Sequence, residues 1–217
     1  MKAIIFDTET TSAQEPEIIE AAWMDAEDDG VSYCERFMPS KPISLGAMAT
    51  HHIIPADLEG CRPSSEFSLP DTEFLIGHNV DFDWKAAGMP DVKRICTLAL
   101  SRWLFPEIDS HSQSAMMYHL FPHEVARQHC QNAHNALEDV KMCKMLFDAL
   151  VGEMAVRGIP SRTWQEIYEA SEIARIPTVM SFGKHKGMAI KDVPADYKQW
   201  LLKQSDVDPY LIIALRG

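Results

Sequence analysis

The chain opens directly into a core strand that carries charge at its end. Lys2-Ala3-Ile4-Ile5-Phe6 is an apolar run that reads as a buried β-strand, and it continues into Asp7-Thr8-Glu9. Residues two apart on a strand project to one face, so Asp7 and Glu9 can reach a common partner from a single backbone element. An Asp-x-Glu pair alone is more often the solvated end of a strand than a site. Here the preceding residues belong in a core, and carboxylates leaving a core are costly unless they are paired or metal-bound.

The rest of the chain supplies elements to build around this strand. Residues 17–26 and 32–39 read as two further strands joined by the acidic turn Asp25-Ala26-Glu27-Asp28-Asp29-Gly30, which gives an antiparallel meander. Residues 42–49 and 55–58 suit short helical or irregular pieces, and 74–78 is a short apolar strand. A helical stretch over 83–87 and a weaker strand over 94–97 complete a strand, helix, strand unit, so the sheet is expected to be mixed. A helix is predicted over 110–121. The clearest one spans 136–154, with Leu137, Val140, Cys143, Phe147, Leu150, Val151 and Met154 at intervals of three and four. Gly and Pro in 152–161 mark a boundary, so residues 1–155 are expected to form one domain and 156–217 a small unit with a hairpin over 179–190 and a helix over 197–203.

Two further motifs follow the first in order. His78-Asn79-Val80-Asp81-Phe82-Asp83 leaves a strand and opens a helix, a place from which Asp83 can point across the end of a sheet. Asp81 is out of phase and faces solvent, and Phe82 and Trp84 suit a core more than a nucleobase contact. His134 precedes Asp139 by five residues. Asn135 and Glu138 form a capping-box-like start to the long helix, leaving His134 just outside it and Asp139 in its first turn. Within one helix the two would diverge by about 140° around the axis; from a loop, His134 can fold back toward Asp139. Four carboxylates and one titratable imidazole are what phosphodiester cleavage with two divalent cations roughly 4 Å apart requires.

As an ordered set these residues resemble the 3′-to-5′ exonucleases of the DEDD group, in the His-bearing subclass that includes proofreading subunits of bacterial replicative polymerases. Asp7 and Glu9 match the first motif, Asp83 the second, His134 and Asp139 the third. Pro42-Ile43-Ser44 through His51-His52-Ile53 is similar to a segment between the first two motifs, with His52 where the family has Gly. The resemblance covers roughly residues 1–155, and Phe182-Gly183-Lys184-His185-Lys186-Gly187 with Tyr197-Lys198-Gln199-Trp200-Leu201 further resembles the C-terminal part of one bacterial member.

The resemblance implies an α/β, RNase H-like mixed β-sheet flanked by helices, and hydrolysis of the last phosphodiester of a 3′ end to release nucleoside 5′-monophosphates. Asp7, Glu9, Asp83 and Asp139 would hold two Mg²⁺, with Mn²⁺ as a substitute, and His134 would accept the proton of the attacking water. An all-oxygen ligand set suits these ions better than zinc. Thr8, Thr10, His51, Asn79 and Ser112 are the expected substrate-binding residues, Ser112 being equally placed to cap a helix. The expected substrate is single-stranded DNA or DNA with 3′ overhangs, in repair or turnover. RNA is the alternative substrate, and a polymerase-associated binding module the alternative role; family precedent allows a homodimer.

Bulk properties narrow the field further. A net charge of −12 argues against broad adhesion to nucleic acid, although residues 180–204 carry five Lys against two Asp, equally a basic patch able to hold a DNA backbone and a stabilising mini-domain with exposed lysines. Cys34, Cys61, Cys96, Cys130 and Cys143 include no Cys-x-x-Cys pair, so reduced thiols are expected. His129, Cys130 and His134 lack a second ligand pair for zinc. With no apolar run of membrane-spanning length and no signal-peptide pattern, no membrane association and a cytoplasmic location are expected.

Overall fold

The computed structural model describes residues 1–131 and 133–217. The initial apolar run becomes β1 (Ala3–Thr10), in which Ala3 to Phe6 are at most 1% exposed. Both faces of such a strand are covered, which places it inside a sheet. Antiparallel β2 (Ile18–Asp25) lies on one side of it and parallel β5 (Phe74–Gly77) on the other. β3 (Ser32–Met38) pairs antiparallel with β2, the two-residue β4 (Arg62–Pro63) parallel with β3, and β6 (Lys93–Cys96) parallel with β5. The result is a mixed six-stranded sheet ordered β4-β3-β2-β1-β5-β6. The acidic turn closes the β2–β3 hairpin as expected, with the Asp25 N–H donating to the Val31 carbonyl at 2.9 Å.

Helices α1 (Leu45–His51), α2 (Asp81–Ala86), α3 (Thr97–Leu104), α4 (Gln113–Leu120), α5 (His123–Cys130) and α6 (Ala136–Val156) surround the sheet, giving the α/β, RNase H-like architecture. α6 buries Val140, Cys143, Phe147, Leu150 and Met154, most of the stripe read from the sequence, and packs on β1 and β2 with α3 and α4 against it. Burial of each such side chain contributes about 1.5–3 kcal/mol. The helix is thus fixed to the strand that carries Asp7 and Glu9. α3 was not expected: Thr97, read as a strand end, is instead its first residue, with no break between strand and helix.

The boundary expected after residue 155 lies later, because α7 (Trp164–Ala174) belongs largely to the sheet domain. Trp164 stacks on Phe147 (ring centroids 5.8 Å, 10° between planes) and on Phe74, and the Ser171 hydroxyl accepts the Cys96 N–H at 2.8 Å. The compact units are Met1–Ser171 and Glu172–Gly217. The second has its own core of Met180, Ile190, Val193, Leu201, Leu211 and Leu215. Its expected hairpin is reduced to one antiparallel bridge, Val179 with Ala189, followed by α8 (Ala195–Leu201) and α9 (Pro209–Arg216). No helix among the described residues is long and apolar enough to cross a membrane. All five cysteines are free.

Candidate active site

Three local devices bring the acidic residues to one end of β1. A register irregularity falls between Glu9 and Thr10, so the strand changes course immediately after its second carboxylate. At the end of β5, a Cβ on Gly77 would lie 3.1 Å from the Phe6 carbonyl and 3.2 Å from the Val80 side chain, closer than ordinary contact, so glycine eases this approach before α2 begins. Asn79, left-handed at φ 68°, then turns the chain into α2 and sets Asp83 in its first turn, 4% exposed. The Asp83 Oδ1 accepts both the Thr8 N–H (3.0 Å) and the Thr8 hydroxyl (2.7 Å). Thr8, expected to bind substrate, has its hydroxyl proton committed to aligning a carboxylate.

The start of α6 is fixed as tightly. Asn135 caps it by accepting the Glu138 N–H at 3.3 Å, while the Glu138 carboxylate turns to Lys141 instead of completing the box. His134 is left-handed (φ 68°), and its own N–H donates to the Asp139 Oδ2 at 2.9 Å. Non-glycine residues are strained there, a cost met by the surrounding contacts. Gln113 donates to the Asp139 carbonyl (2.9 Å) and Oδ1 (3.3 Å). Glu20, opposite Glu9 on β2, was missed in the sequence: it accepts the Ala136 N–H at 3.1 Å and the Arg36 Nε–H at 2.8 Å, tying the helix start to the sheet.

The outcome is a concentration of negative charge. Ligand atoms of Glu9, His134 and Asp139 all lie within 4.8 Å of one another. Burial, then the neighbouring Asp139, Glu20 and Asp83, push Glu9 up to about 8. Asp7 is raised well above the usual carboxylate range by burial, then by Asp83, Asp139, Glu9 and Glu20. Burial also lifts Asp83 to about 7, against the two Thr8 hydrogen bonds, and Asp139 to about 6, against the His134 N–H. No lysine or arginine is among the causes acting on any of the four. Desolvated carboxylates converging without a cation fit an oxygen-coordinated divalent metal. Of the residues weighed for zinc, His129 lies 3.9 Å from Glu138 and the Cys130 thiol faces the Ser114 carbonyl.

Beside Glu9 is a cavity of about 320 Å³ lined by Thr8, Thr10, Ser44, Thr50, His51 and Phe82, among others. His51 is 6% exposed; its Nδ1 accepts the Ile53 N–H at 3.0 Å, which leaves the proton on Nε2, a buried atom that faces the Thr10 backbone without a hydrogen bond of regular geometry among the described residues. Burial pulls its pKa down, favouring this neutral form. His52 caps α1 in the left-handed conformation (φ 60°), so the histidine takes up a turn that glycine adopts without strain. Thr10 donates to the Ser12 carbonyl, Asn79 is exposed, and Ser112 caps α4 by accepting the Ala115 N–H at 3.3 Å. Around the second motif, His78 is held between the Thr97 hydroxyl and the His111 carbonyl, and Trp84 donates to the Pro90 carbonyl under the Arg94 guanidinium, which also pairs with Asp81. These contacts brace the start of α2, where Asp83 sits.

The geometry can be set beside known proteins. No family model matches the chain. Exodeoxyribonuclease 10 of Escherichia coli K12 is 30% identical over 223 residues, which cover 98% of this chain and 96% of that protein. The chain belongs to the exodeoxyribonuclease 10 family of DEDDh 3′–5′ exonucleases. Exodeoxyribonuclease 10 of the E. coli O6:H1 strain matches equally. Among solved structures, exonuclease X in complex with 5′ overhanging duplex DNA superposes with a TM-score of 0.53 at 24% identity, over 76% of this chain and 99% of that one. The zinc-bound complex of E. coli exonuclease I with single-stranded DNA gives 0.57 at 15% identity, over 95% of this chain and 59% of that one. Both share the fold. Exodeoxyribonuclease 10 thus resembles the chain in sequence across both compact units.

Proposed function

We propose that the protein is a metal-dependent exodeoxyribonuclease that removes nucleotides from a DNA 3′ end as nucleoside 5′-monophosphates, acting on single strands and 3′ overhangs. The observation that carries this reading is the convergence of desolvated carboxylates and one accessible imidazole at the end of β1. Membership of the exodeoxyribonuclease 10 family supports DNA as the substrate, as do the DNA complexes of its structural neighbours.

Asp7, Glu9, Asp83 and Asp139 would hold two divalent ions, Mg²⁺ or Mn²⁺. Such ions polarise the scissile phosphate, lower the pKa of the attacking water and offset charge on the departing 3′ oxygen. The chain's own residues do the rest. Thr8 fixes one oxygen of Asp83, and Gln113 and the His134 N–H fix Asp139, so two of the four carboxylates are aligned before substrate arrives. His134, exposed beside Glu9 and Asp139, takes the proton from the attacking water. The cavity beside Glu9 receives the terminal nucleoside, with Phe82 against the base and the His51 Nε2–H as a donor to the sugar-phosphate. Thr10, Asn79 and Ser112 would contact the strand beyond the cavity, and Thr8 acts through Asp83.

The test is mononucleotide release from single-stranded DNA and from RNA of the same sequence, each blocked or free at the 3′ end, with Mg²⁺ or chelator. The expected result is 5′-mononucleotide from the free DNA 3′ end with Mg²⁺ only. Release from RNA alone, or cleavage inside the blocked strand, would contradict it.

A further inference from the structure

The second unit displays a surface that its own packing does not require. Gly183 is left-handed (φ 71°), and a Cβ there would fall 2.6 Å from the Tyr197 hydroxyl, so this glycine lets the turn press directly onto α8. The contact builds a row of rings. His185 meets Tyr197 edge-on at 4.6 Å, and Tyr197 meets Trp200 at 5.3 Å with 37° between planes. Tyr197 and Trp200 are three residues apart on a helix and therefore neighbours on one face. Tyr197 packs against the unit's core, whereas Trp200 is 53% exposed and Phe182, on the same turn segment, 46%.

Lysines occur throughout the same segments. Lys184 and Lys186 flank His185 on the exposed turn, and Lys198 and Lys203 lie in and just beyond α8. Among the described residues none of these four forms an ion pair. Residues 172–217 hold seven Lys and Arg against five Asp and Glu, a positive unit in a chain of net charge −12.

We propose that this face is a docking surface for single-stranded DNA, separate from the carboxylate site. Unpaired lysines match phosphates, and exposed rings match unstacked bases, the combination by which single strands are held without sequence preference. A duplex keeps its base faces stacked and offers the rings nothing. An apolar protein partner would leave the ammonium groups unpaired. DNA rather than RNA rests on the function proposed above. A second hold on the same strand raises the effective concentration of its 3′ end for the first unit.

The experiment uses the full chain in chelator, so that no hydrolysis occurs, with fluorescence anisotropy of a labelled oligothymidylate of about 20 nucleotides. Trp200→Ala is expected to weaken binding about tenfold and Trp200→Phe to restore most of it, since stacking needs the ring. Lys184→Gln with Lys186→Gln is expected to reduce the slope of log affinity against log salt by about 1.4, the value for two lost phosphate contacts on a single strand. With Mg²⁺, hydrolysis of the p-nitrophenyl ester of thymidine 5′-monophosphate, too small to reach a second surface, should stay unchanged in every variant. Binding within about twofold of wild type for all variants would overturn the proposal, as would equal loss in Trp200→Ala and Trp200→Phe. A change from dimer to monomer at unchanged DNA affinity would also overturn it, assigning the face to a second copy of the chain.

Discussion

The end of β1 and the turn–helix face of the second unit are opposite solutions to holding a polyanion. The first gathers acidic groups out of water, with no lysine or arginine shifting any of the four, an arrangement that calls for divalent cations between it and a phosphate. The second spreads lysines and half-exposed rings over a small core and needs no metal. The difference separates chemistry from retention: a site that must polarise one phosphodiester is buried and aligned by hydrogen bonds, whereas a surface that holds any strand is open and tolerant. Perturbing the first should change rate by orders of magnitude, and perturbing the second should change affinity by one.

The largest expected effect is that of Asp7→Asn, which should lower mononucleotide release by on the order of 10³-fold while leaving oligonucleotide affinity in chelator nearly unchanged. A comparable loss of affinity would erase the distinction between the two regions. His134→Ala should reduce kcat by about 10²-fold or more with little change in KM, since it removes a proton acceptor and not a binding contact. Thr8→Val should lower kcat about tenfold, and Thr8→Ser should retain most of the rate, because the hydroxyl and not the methyl group holds Asp83.

A smaller effect concerns stability. Glu9, Asp83 and Asp139 bind protons more tightly in the folded chain, at about 8, 7 and 6. The folded state therefore holds more protons than the unfolded one between their ordinary carboxylate values and these raised ones, so stability falls as pH rises across that window. In chelator, thermal melts should show Tm decreasing from about pH 5 to pH 8, by several degrees, with Mg²⁺ or Asp7→Asn restoring part of the loss. A Tm that rises over this range would mean that the carboxylates are satisfied without a cation.

The sequence reveals β1, the meander and α6 because each rests on a local pattern: a continuous apolar run, alternation around an acidic turn, and a long apolar stripe with an Asn cap. α5 is less visible, since only Ala126 of His123–Cys130 is buried and no stripe forms. α7 follows a Gly- and Pro-containing stretch and buries only Ile167, Ala170 and Ser171, and its membership of the sheet domain shows in Trp164 reaching Phe74 and Phe147 across the chain. α9 did carry a signal, Asp208 as cap with Pro209 in the first turn, that could have been read. At the site, the motif residues are legible because type and order carry the chemistry. Glu20 is not, because Ile18-Ile19-Glu20-Ala21-Ala22 looks like core and only the pairing with β3 and α6 shows why a carboxylate is buried there. Likewise the commitment of Thr8 to Asp83 lies in a hydrogen bond spanning 75 residues.

The central claim, that the four carboxylates at the end of β1 form a divalent-metal site, is tested most directly by titrating the full chain with Mn²⁺ and following the free-ion electron paramagnetic resonance signal, for wild type, Asp7→Asn and Asp83→Asn. The account predicts that wild type removes Mn²⁺ from solution, that Mg²⁺ competes for the same sites, and that each substitution weakens uptake at least tenfold while the chain stays folded. Uptake by wild type that neither substitution changes, or no uptake by folded wild type at near-neutral pH, would contradict it.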